Sequence, residues 1–206
     1  PHPCPRFAPP PPGPGAVGAG GGGGGGGGSG GGRGCLAGGV MAAAVILPAG
    51  DPEGLAQALA GVRDSKQLSR SQRQKLLPVI VGLAQAVGLG GATVAEIERL
   101  NIRRATILAM RRALAQVQPL DWVLLDGPEL PDLGIPHTGI IRGDQQCLSI
   151  AAAAIVAKVR RDGAMARLAR RYPGYGWERN AGYGTAQHYQ GLAQLGPTRH
   201  HRRSFL

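Results

Sequence analysis

Trp122-Val-Leu-Leu-Asp-Gly127 decides how this chain is read: an apolar, strand-forming run ends on an aspartate, and a glycine follows. Such a run suits a short strand whose terminal carboxylate projects from the end of a sheet into a cleft. Working outward, Val40-Met-Ala-Ala-Ala-Val-Ile-Leu47 is a continuous apolar run stopped by Pro48 and Gly50. It suits a buried strand, although periodicity alone leaves a short helix open. Ala86–Gly90 and Gly139-Ile-Ile141 read as shorter strands. Between them the pattern turns helical. Ser69 or Ser71 can cap a helix to about Ala86, with Pro78 kinking or restarting it. Thr93 can cap Val94–Leu100, and Asn101 a second helix to about Val117. Leu148 to about Arg171 is Ala-rich and helical, and Thr185–Leu195 suits a last helix. This alternation argues for an α/β domain.

The 206 residues are enough for one domain with a real core. Sixteen glycines and eight prolines crowd into residues 1–34. Residues 1–28 are therefore expected to be a disordered low-complexity head, with one domain over 29–206. No apolar run reaches membrane-spanning length, and no signal-peptide stretch follows Arg6. Cys4, Cys35 and Cys147 are widely spaced and lack metal-knuckle spacing, so a reducing cytoplasm is the expected compartment. Twenty-three basic residues against 12 acidic ones give a net charge of +11. The excess gathers at Arg103, Arg104, Arg111 and Arg112, at Arg160 and Arg161, and in Arg199-His-His-Arg-Arg203. Such charge favours polyanions, nucleic acid above all, although a basic composition alone gives the same count.

Three acids stand out by position. Asp126 ends its strand, Asp144 follows Ile140-Ile-Arg-Gly143 in the same manner, and Asp162 falls on the apolar stripe of the long helix with Ile155 and Val159. Each has a plainer reading: turn residues for the first two, and a pair with Lys158 one helical turn earlier for Asp162. Together in a basic chain they suggest Mg²⁺ or Mn²⁺, which prefer carboxylate oxygen and can assist phosphodiester hydrolysis.

Several motifs then occur in a telling order. They are Gly32-Arg-Gly-Cys-Leu-Ala-Gly38, Asp64-Ser-Lys66, Glu96-Ile-Glu-Arg-Leu-Asn-Ile102, Val123-Leu-Leu-Asp-Gly127 and Gly143-Asp144. Ser149-Ile-Ala-Ala-Ala-Ala-Ile-Val-Ala-Lys-Val159, Arg161-Asp162, Tyr172-Pro-Gly-Tyr-Gly176 and Gly182-Tyr-Gly-Thr185 follow. Over residues 32–206 the chain resembles ribonuclease HII. The resemblance implies a ribonuclease H-like fold, a mixed central β-sheet flanked by helices with a helical C-terminal extension. It also implies a monomeric endoribonuclease with divalent metal, Mn²⁺ or Mg²⁺. Its substrates would be RNA–DNA hybrid duplexes or DNA duplexes with embedded ribonucleotides. Cleavage would fall 5′ of a ribonucleotide, leaving 5′-phosphate and 3′-hydroxyl ends. Asp126 and Asp144 resemble the family's third and fourth catalytic carboxylates and metal ligands, and Asp162 an additional acid near the metals. Gly32, Arg33 and Gly34 resemble the loop that reads the ribose 2′-hydroxyl, and Tyr183 the tyrosine that packs on the sugar at the RNA–DNA junction.

One departure bears on activity. The family carries an Asp-Glu pair two residues ahead of the Gly-Arg-Gly loop, and those places hold Ser29 and Gly30. No Asp or Glu precedes Asp51. Glycines, poor strand formers, stand where the first strand is expected, so that strand is in doubt. The competing function is a catalytically impaired hybrid-binding relic; an incorrect N-terminus would explain the N-terminal departures at once, with decay of an enzyme as its rival.

Overall fold

The computed structural model describes residues 17–20, 32–49, 51–62 and 67–206. Its strands are β1 (Val17–Gly20), β2 (Val40–Ile46), β3 (Ala86–Ala92), β4 (Val123–Asp126) and β5 (His137–Ile140). Its helices are α1 (Pro52–Ala58), α2 (Arg70–Leu83), α3 (Val94–Leu114), α4 (Gly143–Gln146), α5 (Leu148–Arg171), α6 (Trp177–Asn180) and α7 (Ala186–Leu195). The strands form one mixed sheet in the order β3-β2-β1-β4-β5. β1 runs antiparallel to β2 and parallel to β4, while β2 and β3 are antiparallel and β4 and β5 parallel.

The apolar run at β2 is a strand because both of its faces are covered. Val40, Ala42 and Ala44 pack with Ala105, Ala109 and Leu114 of α3 and with Val123 and Leu125 of β4. Ala43 and Val45, one step out of phase, pack with Ile80 of α2 and with Ala152 and Ile155 of α5. Side chains alternate across a strand, so a sheet between two helical layers needs apolar residues at every position.

Several expected boundaries hold. Ser69 caps α2 with Gln72 in a reciprocal capping box, and Thr93 caps α3 with Glu96 in another. Asn101 does separate two helical pieces of α3: its φ is 67°, and its Oδ1 accepts the Arg104 N–H at 3.1 Å. Pro78 neither stops nor restarts α2, which runs through it to Leu83.

The first strand is a correction. β1 lies inside the head that composition assigned to disorder, upstream of the boundary expected at residue 29. Four residues of Val, Gly and Ala suffice because neighbours on both sides satisfy their backbone groups, so propensity is overridden by position in the sheet. Among the described residues no helix is long and apolar enough to cross a membrane.

Candidate functional site

Residues 32–39 lead into β2 and are held by two buried arginines. Arg202, fully buried at 0% exposure, donates to four carbonyls: Gly38 O (2.9 Å), Arg33 O (2.8 Å), Gly32 O (2.6 Å) and Gly39 O (3.3 Å). Arg161, also buried, donates to Ala37 O (3.2 Å), Gly39 O (3.2 Å) and Ala181 O (2.8 Å). A guanidinium is a rigid fork of five donors, which suits it to fix several carbonyls at once. Burial pushes the Arg202 cation down to about 10.

Arg161 also joins the loop to the segment around Tyr183. Leu36 N and Ala37 N both donate to Gly182 O, at 2.9 and 3.2 Å. Gly182 has φ +87°, and a Cβ there would meet Ala37 O at 2.5 Å, so only glycine permits this approach. Tyr183 follows directly. Its ring is half-buried rather than fully exposed, with Lys158 Nζ 5.3 Å and Arg161 Cζ 5.9 Å from its centroid. The loop that carries the sequence-predicted Gly32, Arg33 and Gly34 is thus tied, through Leu36, Ala37 and Arg161, to the segment that carries Tyr183.

Asp126 ends β4 as expected and is 9% exposed. Asp144, 4% exposed, does not extend a strand: Arg142 turns the chain with a left-handed φ of 56°, and Asp144 sits in the short helix α4. The turn directs the Gly143 N–H onto Asp126 Oδ1 at 3.0 Å, joining the two acid-bearing segments. Arg33 lies close enough to Asp126 for their charges to interact; burial pushes its guanidinium down and the carboxylate opposes that shift. The loop's cation and the strand-end acid are therefore within electrostatic reach of each other.

Asp162 follows its plainer reading. Its carboxylate pairs with Lys158 Nζ at 3.0 Å and with Arg73 at 3.7 Å, in a buried setting. Among the described residues no three His, Cys, Asp or Glu side chains gather closely enough to enclose a metal ion. Asp162 is thus placed by two cations on α2 and α5 rather than by an acidic cluster. Ser29 and Gly30 lie outside the described residues. Continuing the parallel β1–β4 register by one step puts Gly20 level with Asp126.

Charge reading missed Arg161 and Arg202. Both belong to the basic groups that charge assigns to a polyanion, yet both are internal; Arg161 at least stands in a motif, Arg161-Asp162, whereas nothing in the sequence singles out Arg202. Arg111 and Arg112 are also engaged, Arg111 with the carbonyls of Asp132 and Leu133 and Arg112 with Glu96 and Gly91 O. His188 and His201 were missed as well. They form a buried network with Trp177, which donates to His188 Nε2 at 3.0 Å.

Solved structures place this fold among the ribonucleases H. The chain superposes on the ribonuclease HII of the PCNA complex from Archaeoglobus fulgidus with a TM-score of 0.73, 20% identity and coverage of 92% of this chain and 93% of that one. The ribonuclease H2 of Pyrococcus horikoshii gives 0.71, 21%, 92% and 92%. A ribonuclease HIII solved with Mn²⁺ is more distant, with a TM-score of 0.57, 19% identity and coverage of 87% of this chain and 70% of that one. Sequence narrows the class. The chain is 57% identical over 174 residues to a ribonuclease HII of Synechococcus sp. (strain JA-3-3Ab), covering 84% of this chain and 77% of that protein. It is 56% identical over 177 residues to that of Rhodospirillum rubrum, with coverage of 84% and 79%. The profile of the family Ribonuclease HII matches residues 30–206, and the chain belongs to that family.

Proposed function

We propose that this chain is an endoribonuclease for RNA in RNA–DNA hybrids and for ribonucleotides embedded in duplex DNA, cleaving 5′ of the ribonucleotide with divalent metal. One observation carries the reading: a glycine-bounded loop suited to close backbone contact with a ribose is held from within by the buried Arg202, and its Arg33 is within electrostatic reach of the strand-end carboxylate Asp126. The 2′-hydroxyl is what distinguishes RNA from DNA at one site, and backbone N–H groups flanked by glycine can approach it.

Asp126 and Asp144 fit Mg²⁺ or Mn²⁺ in kind, being hard oxygen donors joined through the Gly143 N–H. Such ions, when bound, neutralise a phosphodiester and activate water. The chain's own residues would do the rest. Asp126 and Asp144 would hold the metal, Arg33 would place a cation for a substrate phosphate, and Tyr183 would pack its ring on the sugar. In number the carboxylates fall short, because Gly20, level with Asp126, has no side chain to offer. Hybrid binding with slow cleavage is therefore the expected behaviour of the chain as written.

The test is cleavage of a duplex carrying one ribonucleotide, in Mg²⁺ and in Mn²⁺, by four chains: unmodified, Asp126→Asn, Gly20→Asp, and the double variant Ser29→Asp, Gly30→Glu. Gly20→Asp is expected to exceed the unmodified chain, and Asp126→Asn to fall below it. A rise only in the double variant would place the missing acids after the glycine tract. Undiminished cleavage by Asp126→Asn would overturn the metal-site assignment.

A further inference from the structure

The buried cation Arg202 has four carbonyl partners and takes part in none of the ion pairs among the described residues. Its segment lies along the loop it holds. Arg202 N donates to Leu36 O at 2.8 Å, Gly38 N donates to His200 O at 2.8 Å, and Ala37 pairs with His201 in an antiparallel bridge. Ser204 fastens the segment to α3, its Oγ donating to Glu98 Oε1 at 2.8 Å.

Peptide planarity gives this clamp a direction. In a trans peptide the N–H points opposite to the preceding C=O. Gly32 O and Arg33 O both point at Arg202, so the N–H groups of Arg33 and Gly34 point away from it. Gly34 is exposed and Arg33 half-buried, so the loop reaches the surface at these residues.

We infer that Arg202 is a positioning residue for ribonucleotide discrimination: by fixing the carbonyls of Gly32 and Arg33 from within, it aims the next two backbone N–H groups at the substrate sugar. This rests on the proposed reading of the loop as the ribonucleotide sensor. A lysine would keep the charge but cannot span four carbonyls, so Arg202→Lys is not conservative here.

The experiment measures Kd for two duplexes of one sequence, all-DNA and with a single ribonucleotide, for the unmodified chain, Arg202→Lys, Arg202→Gln and Glu98→Gln. The unmodified chain should prefer the ribonucleotide. Both Arg202 variants should lose that preference by about tenfold, the scale of one or two hydrogen bonds, with all-DNA affinity changed less than about twofold. Glu98→Gln, which keeps an acceptor for Ser204 but removes the negative charge that favours the Arg202 cation, should lose about twofold. Absence of preference in the unmodified chain sinks the loop reading itself. Preference retained in folded Arg202 variants, or equal losses on both duplexes, overturns the role of Arg202 alone. Should the Arg202 variants fail to fold, Glu98→Gln decides on the same two criteria.

Discussion

The loop beside Tyr183 and the corner holding Asp126 and Asp144 are built with unequal completeness. Two internal arginines place seven hydrogen bonds on the carbonyls of the loop and its partner segment. The corner keeps two buried carboxylates, but the neighbouring position on β1 is a glycine. Reading a ribonucleotide depends on rigid backbone direction, whereas hydrolysis depends on the number of anionic ligands. The first requirement survives loss of the second. Binding and cleavage should accordingly come apart on mutation.

The largest break is expected at the corner. Asp126→Asn should lower cleavage on the order of 10³-fold or more while leaving hybrid affinity within about twofold, measured by single-turnover kinetics and titration in Ca²⁺-free buffer. Parallel loss of affinity would mean that Asp126 serves binding as much as chemistry. Next in size comes Gly182→Ala. The added Cβ meets Ala37 O at 2.5 Å on a backbone of φ +87°. It should destabilise the fold by roughly 1–3 kcal/mol and reduce ribonucleotide preference, because relieving the clash moves the residue 182 carbonyl away from the Leu36 and Ala37 N–H groups that donate to it. Denaturant melts and the two-duplex Kd ratio check it together.

Much of this was legible in the sequence, for particular reasons. Val40–Leu47 and Val123–Leu125 announce buried strands because they sit between two helical layers, and Ser69, Thr93 and Asn101 announce helix starts because their side chains cap N–H groups locally. β1 was not legible. A short Gly- and Ala-containing strand takes its stability from the partners on either side, which no local window contains. Arg161 and Arg202 were misread for a related reason: charge counting assumes that arginine meets solvent, and their carbonyl acceptors in the loop lie about 120 to 170 residues away in the chain. The pairing of Asp162 with Lys158 was legible from the four-residue spacing, but Arg73, on another helix, was not.

A smaller effect links the loop's partner segment to pH. Trp177 Nε1 donates to His188 Nε2, so His188 carries its proton on Nδ1 and gives it to Tyr183 O at 2.8 Å. Thr198 N donates to His201 Nδ1, so the His201 proton sits on Nε2 and faces His188 at 3.0 Å. Both rings are neutral in this arrangement, and a further proton would oppose donor to donor. Burial pushes both down; His201, also opposed by His188, falls to about 4 from an ordinary 6.5. The unfolded chain then binds protons that the fold does not. Stability should be full above about pH 6.5 and fall as the pH drops toward 4, with the melting temperature following. His201→Gln should flatten that fall. An unchanged slope would remove the pair from the acid sensitivity of this region.

The smallest effect should come from outside both regions and so test their separateness. Glu96 accepts from Thr93 N at 2.8 Å in the capping box and pairs with Arg112 at 2.7 Å. The Arg112 hydrogen bond holds its carboxyl down to about 2, from 4.5. Its contribution is therefore complete above pH 4.5 and lost as the pH falls toward 2. Glutamine can keep the cap but not the charge, and the pair is exposed to screening solvent. Glu96→Gln should thus melt within roughly 2 °C of the unmodified chain at pH 7, and the difference should vanish near pH 2. Cleavage and the two-duplex Kd ratio should both stay unchanged. A shift in either would show that the start of α3 communicates with the loop or the corner, and that the two regions are less independent than their separate frameworks imply.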